Sequence, residues 1–180
     1  MHGKVVGITF DDGYQNNLIN AAPVLKKYNF SATCYIVSES IGSSNTWDLD
    51  MKITQRPLMT KSEIFEWLNL GMDIGAHSKT HADLTSISEK KVLEEIKDSK
   101  ADLEEIFKVS IFDFCYPFGL FNDLTCTIAK NAGYLSATTM LRGRTNSKSN
   151  RLQLPRIPIN YRTLPHLFLA KILTKYEDKR

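Results

Sequence analysis

Short apolar runs rich in β-forming residues recur along this chain and alternate with segments of helical spacing. That alternation is the strongest constraint on the fold, because successive βα units close most simply around a largely parallel sheet. Runs at 4–10, 32–37, 72–76, 110–116, 135–139 and 156–160 read as strands. Helical patterns cover 16–28, 60–70, the segment after Ser86 that carries Val92, Leu93, Ile96, Leu103, Ile106 and Phe107 on one stripe, 124–131 and 164–176. Thr60 with Glu63 and Ser86 with Glu89 read as capping boxes, and Gly71 as a helix stop. Pro23 is expected in the first turns of its helix or at a kink. Residues 40–59 have loop character with Trp47 in the middle, and loops of this length are often functional. Residues 142–150 read as a second, polar loop. No repeat, low-complexity tract or linker divides the chain, so 1–180 is expected to be one domain.

The chain has 180 residues and a net charge of +3, too small to argue for nucleic-acid or membrane binding. Lys171, Lys175, Lys179 and Arg180 read as a solvated helix end and tail. Three cysteines, Cys34, Cys115 and Cys126, give no disulfide framework, and the first two sit in apolar runs as small buried hydrophobes. No segment has the length and apolarity of a transmembrane helix. Residues 1–7 lack a signal-peptide pattern. The expectation is therefore a cytoplasmic location, or an extracytoplasmic one if the sequence is a trimmed chain. The oligomeric state stays open.

Three clusters carry chemistry, and each follows a predicted strand, where β/α folds gather their ligands and catalytic groups. The first is Thr9-Phe10-Asp11-Asp12-Gly13. Adjacent carboxylates at the end of an apolar strand raise each other's pKa, and a metal ion or an arginine would relieve them. A solvated Asp-Gly turn is the plain alternative. The second is His77-Ser78-Lys79-Thr80-His81. Histidines four apart share one face of a helical turn and can reach one ion at about 2.0–2.1 Å if it is zinc. The zinc-protease version needs a Glu after the first His, and Ser78 stands there instead. The third is Phe114-Cys115-Tyr116-Pro117-Phe118-Gly119, a strand closed by a turn. Its aromatics, Tyr116 among them, could line a sugar groove and a backbone N–H could face an oxyanion, or they could be ordinary core.

These motifs resemble the polysaccharide deacetylase family, also described as carbohydrate esterase family 4 or the NodB-homology domain. The likeness runs from Lys4 to about Ile159 and implies a distorted, partly open β/α barrel of α/β class. The Thr-Phe-Asp-Asp-Gly run is similar to the family's first motif, which implies Asp11 as base and Asp12 as a metal ligand. His-Ser-x-x-His is similar to the second, which implies His77 and His81 as ligands. The implied cofactor is a divalent metal, Zn2+ first, with Co2+, Ni2+ or Fe2+ feasible. Where many members carry a third-motif arginine, this chain has Cys115. The Tyr-Pro-Phe-Gly form is similar to a subgroup acting on poly-N-acetylglucosamine and related sugars, which implies the Phe118 N–H as oxyanion donor. The family's fourth motif has no clear counterpart. Leu164-Pro165-His166 has the letters of the fifth, which implies His166 as the leaving-group acid, although a surface histidine in a helix is the alternative. Arg156 is expected to pair with Asp11 through two parallel hydrogen bonds and so replace the missing arginine, against the alternative of a surface salt bridge.

The resemblance implies a metal-dependent hydrolase that removes acetyl groups from an N- or O-acetylated carbohydrate. Two alternatives accompany it. One is a small-molecule amide hydrolase on the same fold. The other is a sugar-binding module without catalysis, which the retained Asp11 argues against, because binding alone needs no base. A phosphatase with Asp11 as nucleophile leaves the histidine pair unexplained.

Overall fold

The computed structural model describes residues 5–179 and contains one six-stranded sheet whose strands run parallel in chain order. They are β1 (Thr9–Phe10), β2 (Thr33–Ile36), β3 (Asp73–Ala76), β4 (Asp113–Cys115), β5 (Ser136–Arg142) and β6 (Leu154–Arg156). Helix α1 (Ala22–Lys27) joins β1 to β2, α2 (Lys61–Asn69) leads into β3, α3 (Glu89–Phe107) into β4 and α4 (Asp123–Asn131) into β5. A loop without a helix joins β5 to β6, and α5 (Pro165–Leu173) follows. Parallel strands in sequential order, joined by crossovers of one hand, place their helices on one face, and the sheet curls about the other. The curl brings β6 back to β1. The two are not paired as strands, and the Arg156 guanidinium spans the gap to Thr9 and Asp11. The result is a partly open β/α barrel, as expected.

Burial explains why the elements form where they do. Leu18, Ala22 and Leu25 turn inward from the first helical segment, and Val92, Ile96, Leu103 and Phe107 from α3. Trp67 is fully buried, donates its indole N–H to the Asp73 carbonyl and meets the Phe10 ring edge-on. Gly75 lets β2 and β4 close on β3, since a Cβ there would fall 2.6 Å from the Tyr35 ring and 2.8 Å from the Asp113 carbonyl oxygen. The three cysteines are free and buried. No helix among the described residues is long and apolar enough to cross a membrane.

Local chemistry moved several boundaries. The first strand keeps only Thr9–Phe10, because the preceding residues lie at the open edge of the sheet, with Val5 and Val6 exposed; Lys4 lies outside the described residues. Ahead of α1 the chain winds as a π-helix over Asn17–Ala21, since Pro23 has no N–H to give the Ile19 carbonyl. The Thr60–Glu63 capping box forms, and Gly71 follows α2 at φ 84°. The Ser86–Glu89 box does not form. Asp83 accepts the Thr85 N–H and hydroxyl, Ser86 donates to the Asp83 carbonyl, and α3 starts at Glu89 behind Ser88. The last strand runs over Leu154–Arg156 and not 156–160. Pro155 is tolerated on this edge strand, and Pro158 withholds the next N–H. Lys171 is not solvated: it is buried, 2.7 Å from Glu177 and 2.7 Å from the Pro158 carbonyl, which ties the chain end to α5. Arg180 of the expected tail lies outside the described residues.

Candidate active site

Three turns meet at the C-terminal ends of β1, β3 and β4, and each is bent by residues in the left-handed region. Asp12 has φ 72°, Ser78 59°, His81 63° and Phe118 56°, four of the seven non-glycine positive values among the described residues. Such conformations cost about 1–3 kcal/mol each and persist where surroundings over-determine them. Here they turn side chains from three strands toward one point. Gly119 completes the third turn at φ 68°, and a Cβ there would fall 2.5 Å from the Met140 backbone nitrogen.

Asp12 lies between the two imidazoles. Its Oδ1 is 3.2 Å from His77 Nε2 and 3.4 Å from His81 Nε2. His77 is fixed from behind, because its Nδ1 lies 2.7 Å from the Cys115 carbonyl. As that carbonyl can only accept, Nδ1 carries a proton, and Nε2 is the ring nitrogen that faces Asp12. His81 is held by rings: Trp47 stacks on it at 4.4 Å and Phe118 meets it edge-on at 4.6 Å. Its Nδ1 is buried and has no hydrogen-bond partner.

Asp11 has a different hydrogen-bond partner. Arg156 donates to its two oxygens at 2.6 and 2.7 Å, and also to Thr9 Oγ1 at 3.2 Å and the Thr139 carbonyl at 3.0 Å. The guanidinium also lies 3.4 Å from Cys115 Sγ. Arg156 thus makes the bidentate pair with Asp11 in a chain whose third motif offers Cys115.

The electrostatics follow. Burial pushes the Asp11 carboxyl up, but the Arg156 hydrogen bonds and the His77 and Arg156 charges outweigh it and leave the pKa below the ordinary carboxylate value. Asp12 is likewise pushed up by burial and driven far lower by its two histidine partners. His77 is opposed by burial yet raised by Cys115 and Asp12, whereas burial and the His77 charge depress His81. Tyr14 is pushed up to about 12 by burial and by the Asp12 and Asp48 charges.

The donor set fits a divalent cation. A tetrahedral ion with ligands at about 2.0–2.1 Å holds them about 3.3 Å apart, and the two Asp12–imidazole distances are 3.2 and 3.4 Å. In a second trio, Asp11, His77 and Cys115, the ligand atoms also lie within 4.8 Å of one another. Arg156 occupies both Asp11 oxygens and adjoins Cys115 Sγ, so a cation there would face a guanidinium.

Two expected residues do not join the site. Tyr116 was expected to line a groove, but its side chain is fully buried, packed against Phe114 and Phe121, with its hydroxyl donating to the Leu152 carbonyl. Side chains alternate across a strand exit, and this one falls on the core side. His166 is exposed on α5, and no hydrogen bond, ion pair or ring contact joins it to the cluster, so the acid role implied for it finds no geometric support. Phe118 does arrive, with no backbone acceptor against its N–H. Three participants escaped the sequence reading. Trp47 appeared there as the middle of a long loop, not as a cover for His81. The Cys115 backbone carbonyl carries no sequence signal. Glu95 does carry one, since it interrupts the buried face of α3.

Comparison with known proteins finds relatives of one family. The family model for polysaccharide deacetylases matches residues 1–137. The poly-beta-1,6-N-acetyl-D-glucosamine N-deacetylase of Staphylococcus aureus is 32% identical over 167 residues, which cover 91% of this chain and 57% of that protein. The solved Streptococcus pyogenes deacetylase PplD, in complex with acetate, superposes with a TM-score of 0.80 at 29% identity over 94% of this chain and 70% of its own. A polysaccharide deacetylase from Bacillus cereus gives 0.78 at 30% identity, over 92% of this chain and 50% of its own. The chain spans about half the length of the curated relatives it matches.

Proposed function

The chain belongs to the polysaccharide deacetylase family, and from that premise we propose that it is a metal-dependent hydrolase removing acetyl groups from an N-acetylated carbohydrate. A polymer of N-acetylglucosamine is the first substrate to test, by analogy with the staphylococcal relative. The observation that carries the reading is one carboxylate between two inward-facing imidazoles, beside a second carboxylate oriented by an arginine. Asp12, His77 and His81 would hold the cation, zinc first by donor type, with cobalt, nickel or iron able to substitute. When bound, it supplies Lewis acidity to the attacking water and the acetyl carbonyl.

The protein's residues do the rest. Arg156 holds Asp11 in one orientation and keeps it deprotonated. Asp11 takes a proton from the water as its oxygen joins the acetyl carbon. The Phe118 N–H donates to the carbonyl oxygen as that atom gains negative charge. The carbon–nitrogen bond then breaks, and Asp11 returns the proton to the departing amine. This sequence needs no histidine acid, which suits the position of His166. Phe118 and Trp47, partly exposed around His81, offer apolar surface for a sugar face.

Acetate release from N-acetylglucosamine oligomers tests the reading. Release should stop with a chelator and return with zinc or cobalt. Asp11→Asn should keep the metal and lose about 100-fold or more in rate. An Asp11→Asn protein with near-parental turnover would remove Asp11 from its role.

A further inference from the structure

Glu95 is a carboxylate in a place made for an apolar side chain. It lies on the inward face of α3 between Val92, Ile96, Ser99 and Leu103, and is only 9% exposed. A buried carboxylate is costly unless its oxygens are satisfied by hydrogen bonds. All its partners come from one short segment. Oε2 accepts the N–H groups of Lys79 and Thr80, both at 2.9 Å, and Oε1 accepts the Thr80 hydroxyl at 2.6 Å. Those two residues lie between His77 and His81. The Lys79 ammonium pairs elsewhere, with Glu39, so Glu95 grips the turn by its backbone and one hydroxyl.

The turn needs such a grip. Ser78 and His81 both sit at positive φ, and inside the turn only the Ser78 hydroxyl, accepting the His81 N–H at 3.0 Å, braces it. From outside, the Ser38 and Glu39 N–H groups hold the Ser78 and Lys79 carbonyls at 3.3 and 3.0 Å, and Glu95 alone holds the Lys79 and Thr80 N–H groups. His81 also lacks the hydrogen bond behind its ring that His77 donates to the Cys115 carbonyl. Ring stacking leaves a ligand free to slide, so its position depends on where the backbone places its Cα.

We infer that Glu95 is a positioning residue for the metal site: its three hydrogen bonds hold the 78–81 turn in the strained shape that delivers His81 to Asp12. The inference rests on the ligand assignment proposed above. Removing the grip lets the turn relax and loosens one of three ligands, whereas lost outer partners of metal ligands typically cost about 10–100-fold in affinity. A glutamine keeps an oxygen for the two N–H groups and an amide that can donate to the Thr80 hydroxyl oxygen, so shape is preserved and only charge is lost.

The test is cobalt(II) affinity of the whole chain by competition with a chromophoric chelator, together with the visible absorption of the cobalt-loaded protein. Glu95→Ala should bind cobalt about 10–100-fold more weakly than the parent, with an altered spectrum. Glu95→Gln should restore most of both. Leu103→Ala, which opens a cavity under the same helix without touching the turn, should lower thermal stability and leave affinity and spectrum unchanged. Parental affinity and spectrum in folded Glu95→Ala would overturn the inference. Should that variant not fold, Thr80→Val decides: several-fold weaker binding supports the grip, and unchanged binding refutes it. A parent that binds no cobalt, or binds it as well after His77→Ala, would instead sink the ligand assignment itself.

Discussion

Asp11 and Asp12 are neighbours in sequence and face opposite partners, a guanidinium on one side and two imidazoles on the other. The division depends on Asp12 standing at φ 72°, which swings its side chain away from that of Asp11. Each carboxylate thus has its own hydrogen-bond partners, and each can be assigned a separate task. Arg156 then has a measurable consequence. Burial alone would raise the Asp11 pKa, and Arg156 is the chief reason that it lies low. Arg156→Ala removes the larger lowering influence and leaves burial opposed chiefly by the His77 charge, so the folded pKa should rise. A base must be deprotonated to act, so the acid limb of the kcat/KM profile should move to higher pH, and kcat should fall about 100-fold through lost orientation. An unmoved acid limb with parental turnover would refute the pairing's role. The identities of these residues were readable from Asp-Asp-Gly and His-x-x-x-His. The fate of Tyr116 was not, because inward and outward positions at the end of a strand differ by one residue of register.

Elements were most legible where local chemistry decides them alone. The α2 start is such a case: Thr60 Oγ1 accepts the Glu63 N–H at 3.3 Å, and the Thr60 N–H donates to Glu63 Oε2 at 2.8 Å. Both partners lie within four residues, so the pattern is complete in the sequence. Thr60→Ala should cost about 1 kcal/mol, read as a lower urea midpoint at unchanged slope. The Ser86–Glu89 pattern has the same letters and fails, because Asp83 lies three residues earlier and captures the intervening backbone. The short first and last strands fail as predictions for another reason. They are the two edges of the sheet, and strand length there depends on whether a neighbour arrives to pair.

At the scale of the whole molecule, the site is a property of closure. Asp12, the histidine pair and Arg156 come from β1, the β3 exit and β6, and meet because the sheet curls until its two ends approach. A cation gripping side chains from β1 and β3 should tie those elements together. Adding zinc or cobalt at about a hundred times its Kd should stabilise the fold by about 2.7 kcal/mol, or roughly 5–10 °C in Tm for a chain of this size. The thermal shift should vanish in His77→Ala, and an undiminished shift in that variant would place the binding elsewhere. By itself the sequence determined the order of strands and helices, the parallel sheet and the chemical types gathered at strand ends, because periodicity and short-range hydrogen bonding act over a few residues. The missing third-motif arginine already pointed to the Arg156–Asp11 pair, which the fold closes across 145 positions. Only the tertiary structure decided that Tyr116 turns into the core, that His166 stays outside and that Glu95 braces the histidine turn. Those outcomes depend on which surfaces the curled sheet brings into contact, and contact across the fold leaves no periodic trace in the chain.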